Sequence, residues 1–549
     1  VKGDITKTYR IEDTVFLRSD IKFKRCKFFH PSSALNRIIF QGVGTTIDQT
    51  MPSDIDENSF EIEVDDPSAF SVDQVVRLRS DQLWSENQNV KYGELVLVKS
   101  ISGNILTLKS STFLSYDASQ TGRIRAVTPV QNVTFEECEA ITEYEGNSIF
   151  VQINYGRNLK FDKCKTHGFD YGHYYLSRTY DSYFLNCEMK KTGDAIDGSN
   201  YGVVIGNSCF NANVLDSFGD GFRHYVTVGS ANGVSRFVTV NNCTITNSID
   251  AGLDTHAAAS DFKFTNNNIY ISNDAANGVR DGIITQGVSG IISGNTIYEA
   301  RSHGISYFNC VTPNIGKNFN MDIYGNKIIF AQGLEQPVAG LENAAIDIWA
   351  DRAGLTMANI DSLNIKDNTV EIANSTTILK YVVRIKSTDH AINQATITGN
   401  KLVGGYSEKG IYIETINHKI KDIQISDNYI PKVTLLNDIG NSQDLNTYTG
   451  GTPSNYTITD FASGGFKDGP YQRLNADTGA ILFESFVATG TSITVRFLVR
   501  NITNNWAAFI YNETTANTLA DLRLDSSYNT VQLIGEGGIF DADDDGWQE

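Results

Sequence analysis

The sequence predicts an all-β chain wound as a stacked solenoid, and three observations carry that reading. Short runs of alternating apolar and polar residues recur along the chain, each ending at a Cys or an Asn and followed by a second short run. The spacing of these units falls in the range of a strand-built coil. Helical periodicity is almost absent.

The Cys form of the unit reads FKRCKFF, FEECEA, FDKCKT, FLNCEM, GNSCFN and VNNCTI, carrying Cys26, Cys138, Cys164, Cys187, Cys209 and Cys243. The Asn form reads TNNNIYI, SGNTIYE, YGNKIIF, KDNTVEI, TGNKLVG and SDNYIPK, carrying Asn268, Asn295, Asn326, Asn368, Asn400 and Asn428. From Cys138 to Asn428 the chain takes ten steps over 290 residues, about 29 each. Equivalent residues on successive coils stack roughly 4.8 Å apart. There is no CxxC pair, and histidine does not accompany the cysteines. We therefore read the thiols as small buried turn residues rather than as zinc ligands or disulfides. Stacked Asn side chains at the same place can hydrogen-bond along the axis.

The elements follow in order. Residues 1–45 are read as the first coils, ending near Gly42-Val43-Gly44. Residues 46–127 break the repeat with FEIEVDD, VVRLRSD, GELVLVKSISGNILTLKS and GRIRAV, a small antiparallel β-domain with turn chemistry at Ser102-Gly103-Asn104. The main solenoid runs over 128–435. The steps Cys209 to Cys243 and Asn326 to Asn368 are enlarged, which sends extra residues to loops on one face. Residues 436–455 are rich in Gly, Asn, Ser and Thr and read as a linker. Alternating runs over 456–549 describe a β-sandwich.

At 549 residues the chain exceeds one compact core, a limit that a solenoid escapes because each coil buries itself on its neighbours. Aromatics at 11% exclude general disorder, and no apolar run approaches a membrane span. A net charge of −19 argues against nucleic acid and anionic membrane surfaces. It leaves carboxylates for acid–base work. The chain starts at Val1 without a Met or an apolar leader, which we read as a boundary or processing site.

A small residue followed by a large apolar one recurs at Gly168-Phe169, Ala195-Ile196, Gly221-Phe222, Gly252-Leu253, Gly282-Ile283, Gly304-Ile305 and Ala345-Ile346. If the apolar residue points inward, alternation sends out a column of Asp170, Asp197, Arg223, Asp254, Ile284, Ser306 and Asp347. A second outward column then reads Gly172, Ser199, Tyr225, His256, Gln286, Phe308 and Trp349. Carboxylates, an Arg, a His and aromatics on one face suit a polysaccharide. Aromatic rings stack on sugars while Asp, Gln and Arg reach hydroxyls or an acidic substituent.

Glycoside hydrolysis needs two carboxyl groups, about 5–5.5 Å apart for retention and about 6.5–9.5 Å for inversion. We expect Asp197 and Asp254 to be the working pair, with Arg223 between them. Asp194 and Asp220 are further catalytic candidates from a turn column that also holds His167, Asp281 and His303. Asp-Gly is also ordinary turn chemistry, so each of these carboxylates has a purely structural alternative. Asp170, Arg223, Tyr225, His256, Asp281, Gln286, Phe308 and Trp349 are expected to bind substrate. By the same alternation His224 points into the core. The stretch from Asp541 to Gly546 matches the start of a calcium loop, but its bidentate Glu would fall beyond Glu549, and we read it as an acidic turn. No metal or other cofactor is expected.

The coils NVTFEECEA, RNLKFDKC and VTVNNCTI, the Gly-apolar-Asp strands and the 46–127 insertion resemble the pectate-lyase-like right-handed parallel β-helix proteins, in particular bacteriophage tailspike depolymerases. The likeness covers about residues 1–431. It implies a homotrimer that recognises and cuts a bacterial capsule or lipopolysaccharide, with a site along one helix face or between subunits. It also implies a virion tail protein acting at the bacterial surface, attached through an N-terminal segment that precedes this chain. Hydrolysis by paired Asp residues is the leading expectation. A uronate lyase using Arg223, Tyr225 and His256 is the alternative within enzymes, and a non-catalytic carbohydrate-binding adhesin is the alternative outside them.

Overall fold

The structure is a computed structural model. It describes residues 1–4, 6–144, 146–191, 199–272, 281–300, 302–308, 310–312, 319–330, 343–349, 359–373, 378–387, 391–404, 406–407, 410–415, 420–430 and 433–436, together with strands at 506–512, 517–525, 530–534 and 539–541. Among the described residues the chain is almost entirely strand.

The described residues of 1–44 and 129–436 wind as a right-handed parallel β-helix with three stacks of strands. One coil shows the plan. The strand Ile149–Asp162 begins in the first stack, bends at Tyr155, which has φ 58°, and ends in the second stack. Its first half pairs in parallel with Ile38–Val43, its second half with Val130–Glu136, and both halves with Gly172–Leu185. Lys163, at φ 53°, turns the chain into Cys164 and the third-stack strand Lys165–His167. A loop then returns to the first stack at Gly172. Twelve described strands, from Thr8–Arg10 to Lys401–Val403, build the third stack.

Alternation in the second stack sends every other residue inward, so large apolar side chains meet their counterparts one coil away. Phe135, Phe161 and Phe184 are paired in register, their rings 5.6 and 4.7 Å apart and nearly parallel. The column continues as Val214, Val240, Phe264, Ile292 and Ile323. All are buried in a single core that runs the length of the helix.

The ladder exists, with two corrections to its membership. Its residue follows a left-handed turn residue, and the turn fixes the position: Arg25, Glu137, Lys163, Asn186, Asp216, Asn242, Asn266, Gly294, Gly325, Asp367, Gly399 and Asp427 all have positive φ. The rungs are therefore Cys26, Cys138, Cys164, Cys187, Ser217, Cys243, Asn267, Asn295, Asn326, Asn368, Asn400 and Asn428. Cys209 is not a rung. It sits at the corner between first and second stacks, beside Thr179 Oγ1 at 3.3 Å, and Ser217 takes its place. Asn267, rather than Asn268, is the first Asn rung.

Each Asn rung ties three coils. Asn295 Nδ2 donates to Phe264 O at 2.8 Å and to Asn326 Oδ1 at 2.9 Å, while Asn326 Oδ1 also accepts from Asn295 N. The pattern repeats from Asn267 to Asn428. In the Cys segment the thiol takes over the amide's outward bond: Cys164 Sγ lies 3.4 Å from Phe135 O and Cys187 Sγ 3.4 Å from Phe161 O. Burial pushes the Cys138 and Cys243 thiols up to about 12, so they stay protonated. All seven cysteines are free and buried.

The insertion enters between the first- and second-stack strands of one coil. Gly44 marks the entry: a Cβ there would lie 2.7 Å from both Thr128 O and Tyr155 O. Strands Thr45–Thr50, Glu61–Glu63, Val75–Ser85, Val90–Ser102, Ile105–Leu108 and Arg123–Thr128 form one antiparallel sheet. Gly103, at φ 55°, closes the hairpin expected there. The sheet lies along the corner of later coils. Trp84 Nε1 donates to Ala257 O at 2.6 Å, Val234 N to Gly93 O at 2.8 Å, and Thr312 N to Trp84 O at 2.8 Å. Near the C-terminus, Trp506–Asn512, Asn517–Asp525, Thr530–Ile534 and Ile539–Asp541 form a four-stranded antiparallel sheet. The expected linker beyond Leu436 and the acidic turn after Asp541 lie outside the described residues.

Removing an Asn rung strands a buried carbonyl and a buried N–H, a loss of about 3 kcal/mol, whereas removing a thiol loses one weak bond and a small volume, about 1 kcal/mol. Asn326→Ala is thus expected to lower the unfolding midpoint more than Cys164→Ala. Equal losses in parallel denaturation curves would show that the amide ladder contributes nothing special.

Candidate active site

The first stack carries the polar face. From Tyr201–Gly206 through His224–Val228, Ala251–Thr255, Asp281–Thr285, His303–Phe308 and Ala344–Trp349 to Tyr381–Ser387, its inner column is apolar: Val203, Val226, Leu253, Ile283, Ile305, Ile346 and Val383. The next column is Val204, Thr227, Asp254, Ile284, Ser306, Asp347 and Arg384. Asp254, Ile284, Ser306 and Asp347 are therefore in register as expected, and Phe308 pairs with Trp349.

The earlier half of the expected column is not. Leu253 pairs with Val226, so Thr227, not Arg223, is the neighbour of Asp254. The reason is that Gly221-Phe222 lies in the loop before its strand, where Phe222 fills the core. Tyr225 is not on the outer face either. It is buried, and a Cβ at Gly219 would fall 2.1 Å from its ring. Asp170 serves the backbone, accepting from Gly146 N, Asn147 N, Ser148 N and Ser148 Oγ. Burial works against its ionisation, but these bonds prevail and lower its pKa. Asp220 ends a third-stack strand and accepts from Thr246 Oγ1 at 2.7 Å and Asn247 Nδ2 at 2.6 Å. Asp194 and Asp197, with Ala195-Ile196, lie outside the described residues.

Two charged groups sit on this face. The first gathers Tyr201, Arg223, His224, Asp250, Asp254 and His256. Arg223 Nε lies 3.2 Å from Asp250 Oδ2 and its Nη1 donates to Tyr201 OH at 3.4 Å. The rings of Tyr201 and His224 stack at 5.8 Å. His224 Nδ1 meets Ala251 O at 2.9 Å, which assigns the proton to that nitrogen and turns Nε2 toward Asp250 Oδ2 at 3.6 Å. His224 is thus buried as expected but serves a polar cluster. Asp254 Oδ2 accepts from Thr227 Oγ1 at 2.7 Å and faces His256 Nε2 at 3.3 Å. Burial raises the Asp250 pKa, against the pull of His224 and Arg223. Burial also raises the Tyr201 pKa.

The second group is a chain of alternating charges. His303 lies between Asp281 Oδ1, 3.0 Å from Nδ1, and Asp347 Oδ2, 3.2 Å from Nε2. Arg384 grips Asp347 with two bonds of 2.7 Å, and its guanidinium lies 4.9 Å from the Trp349 ring centroid. Gln286 accepts from Gln88 of the insertion, whose Oε1 takes Ala257 N at 3.1 Å. Phe308 is buried in the cluster that joins helix and insertion. Asp281 and Phe308 are buried, and Trp349 is half-buried against the same cluster.

Tyr201, Asp250 and Arg384 escaped the sequence reading. Asp250 opens the run Asp250-Ala-Gly-Leu-Asp254, one small residue before the motif that was counted. Arg384 follows Val383 just as Asp347 follows Ile346, but without a small residue ahead of the pair.

Burial disfavours a charged His303, and the carboxylates of Asp281 and Asp347 overcome it, lifting its pKa to about 9. An unfolded His titrates near 6.5. The extra stability is therefore fully present below about pH 6.5 and is lost as pH rises to about 9. His303→Gln should flatten that slope in denaturation curves taken between these limits; an unchanged slope would mean the imidazolium is not what Asp281 and Asp347 hold.

No family model matches the chain. In sequence it is 27% identical over 281 residues to a capsule K1-specific depolymerase of Klebsiella phage K64-1, a match covering 48% of this chain and 31% of that protein. The chain thus spans about a third of the curated relative. In structure it resembles the tailspike gp49 of Pseudomonas phage LKA1, with a TM-score of 0.56 at 16% identity, covering 78% of this chain and 72% of the other. It also resembles the Gp54 tailspike of Acinetobacter baumannii bacteriophage AP22, solved with A. baumannii capsular saccharide, with a TM-score of 0.51 at 14% identity over 85% and 74% of the two chains. The parallel β-helix expected from the coils is therefore borne out: the chain carries the fold of these phage tailspike proteins.

Proposed function

We propose that this chain is the polysaccharide-cutting part of a phage tailspike and that it hydrolyses a glycosidic bond of a bacterial capsule or lipopolysaccharide. The observation that supports this most is one charged cluster in which two carboxyls in unlike settings, Asp250 and Asp254, both act on Arg223. Burial raises the Asp250 pKa, while Asp254 is hydrogen-bonded by Thr227 and faced by His256. Two carboxyls in different settings are what a general acid and its companion base or nucleophile require. Arg223 beside Tyr201 offers donors to sugar hydroxyls or an acidic substituent.

The reading extends to a homotrimer on the virion tail, joined to the particle through a segment preceding this chain and acting at the cell surface. The capsule-specific phage relative and the capsule-bound tailspike support polysaccharide as the substrate class. The sequence expectation that Asp197 joins Asp254 stands beside Asp250 as a competing assignment.

Shortening of purified capsular polysaccharides, followed by mass analysis, tests the reading. With a substrate that the parent protein cuts, Asp250→Asn and Asp254→Asn are each expected to lose about 100-fold or more in kcat while keeping the parent's melting temperature. Because Asp250 must be protonated to act, the parent's rate should fall as pH rises through its raised pKa. Full activity in both variants would overturn the assignment, and loss only in Asp197→Asn would transfer the acid's role there. A product carrying a conjugated double bond would make the enzyme a lyase.

A further inference from the structure

We infer that Phe237, on the second stack, is a sugar-stacking platform for a length of polysaccharide beyond the acidic cluster. The inference rests on the polysaccharide reading above and adds a binding position to it.

From the first coils to Ser289, the corner where the chain enters the second stack is taken by a residue with positive φ. In seven coils that residue is Asp20, Asn132, Asn158, Asp181, Asn211, Asp261 or Ser289, with φ between 51° and 60°. Strand register places Phe237 at the same position, at φ 56°. Asp and Asn enter this region at little cost because a short polar side chain bonds locally, but a bulky aromatic there is an outlier. Nothing in the core repays it, since Phe237 points outward and is 41% exposed. Strain held at an exposed aromatic points to a use for the ring.

Its surroundings say which use. Phe210 meets the ring edge-on at 5.0 Å, and the Arg236 guanidinium lies 4.7 Å from its centroid, so the ring is held in place. Arg236 is itself anchored over Phe113 of the insertion at 3.8 Å. One coil to one side lies Asp261, with one oxygen on Arg236 Nε at 2.9 Å and the other free of hydrogen bonds among the described residues. One coil to the other side lies Asn211, bonded to Asp181 and Tyr183 OH. A fixed apolar ring, flanked about 4.8 Å away on each side by a carboxylate and an amide, matches a pyranose: its C–H face on the ring, its hydroxyls on the flanks.

The test compares Phe237→Asn and Phe237→Tyr on a capsular polysaccharide that the parent shortens. Phe237→Asn restores the residue type of the other coils, so its melting temperature should equal or exceed the parent's. Its KM for long polysaccharide should rise roughly three- to tenfold, the worth of one aromatic contact, with kcat unchanged. Phe237→Tyr should keep the parent's KM. An unchanged KM in Phe237→Asn, or a lowered melting temperature without a change in KM, would make the ring structural. If the parent binds and cuts none of a panel of capsules, the polysaccharide reading itself fails, and this inference with it.

Discussion

Everything in this fold depends on one constraint: a left-handed turn followed by a buried side chain that reaches back to a carbonyl of the preceding coil. The turn fixes where the second stack ends and the third begins. The rung, whether thiol or amide, then pins each coil to its neighbour. Because strands pair in parallel and in register, pinning one point of the coil sets the position of every other residue on it. The phenylalanine column, the polar face and the seat of the insertion all inherit their alignment from that turn.

The same register explains the electrostatics. A parallel stack covered on its outer side cannot leave charges single, because an unpaired buried ion costs several kcal/mol. The coil spacing lets unlike charges answer one another: Asp281, His303, Asp347 and Arg384 alternate in sign across successive coils. Towards the N-terminus the compensation is looser, with Arg223 and His224 facing one carboxylate and His256 another.

The repeat was legible because Cys and Asn are conspicuous and their spacing survives variable loops. Its exact rungs were not, since nothing in GNSC or TNNN distinguishes the residue after a left-handed turn from its neighbours. Ser217 is invisible to a search for Cys or Asn. The polar face was legible from Asp254 onward, where the small residue of each Gly-apolar pair opens a strand. It was lost before that, because Gly168-Phe169 and Gly221-Phe222 fill a loop and point a different side chain at the core. Four residues of slippage exchanged Thr227 for Arg223 and drew Tyr225 out of the interior on paper. Long-range partners such as Gln88 with Gln286 carry no sequence signal at all, being set by how the insertion folds back along the helix.

The account stands on water being added across a glycosidic bond by carboxyls on this face. Digesting a susceptible capsular polysaccharide in oxygen-18 water and weighing the oligosaccharides tests that directly. Hydrolysis predicts one heavy oxygen in each new product pair and no unsaturated sugar. Products free of label, or none at all from a polysaccharide the protein binds, would contradict it.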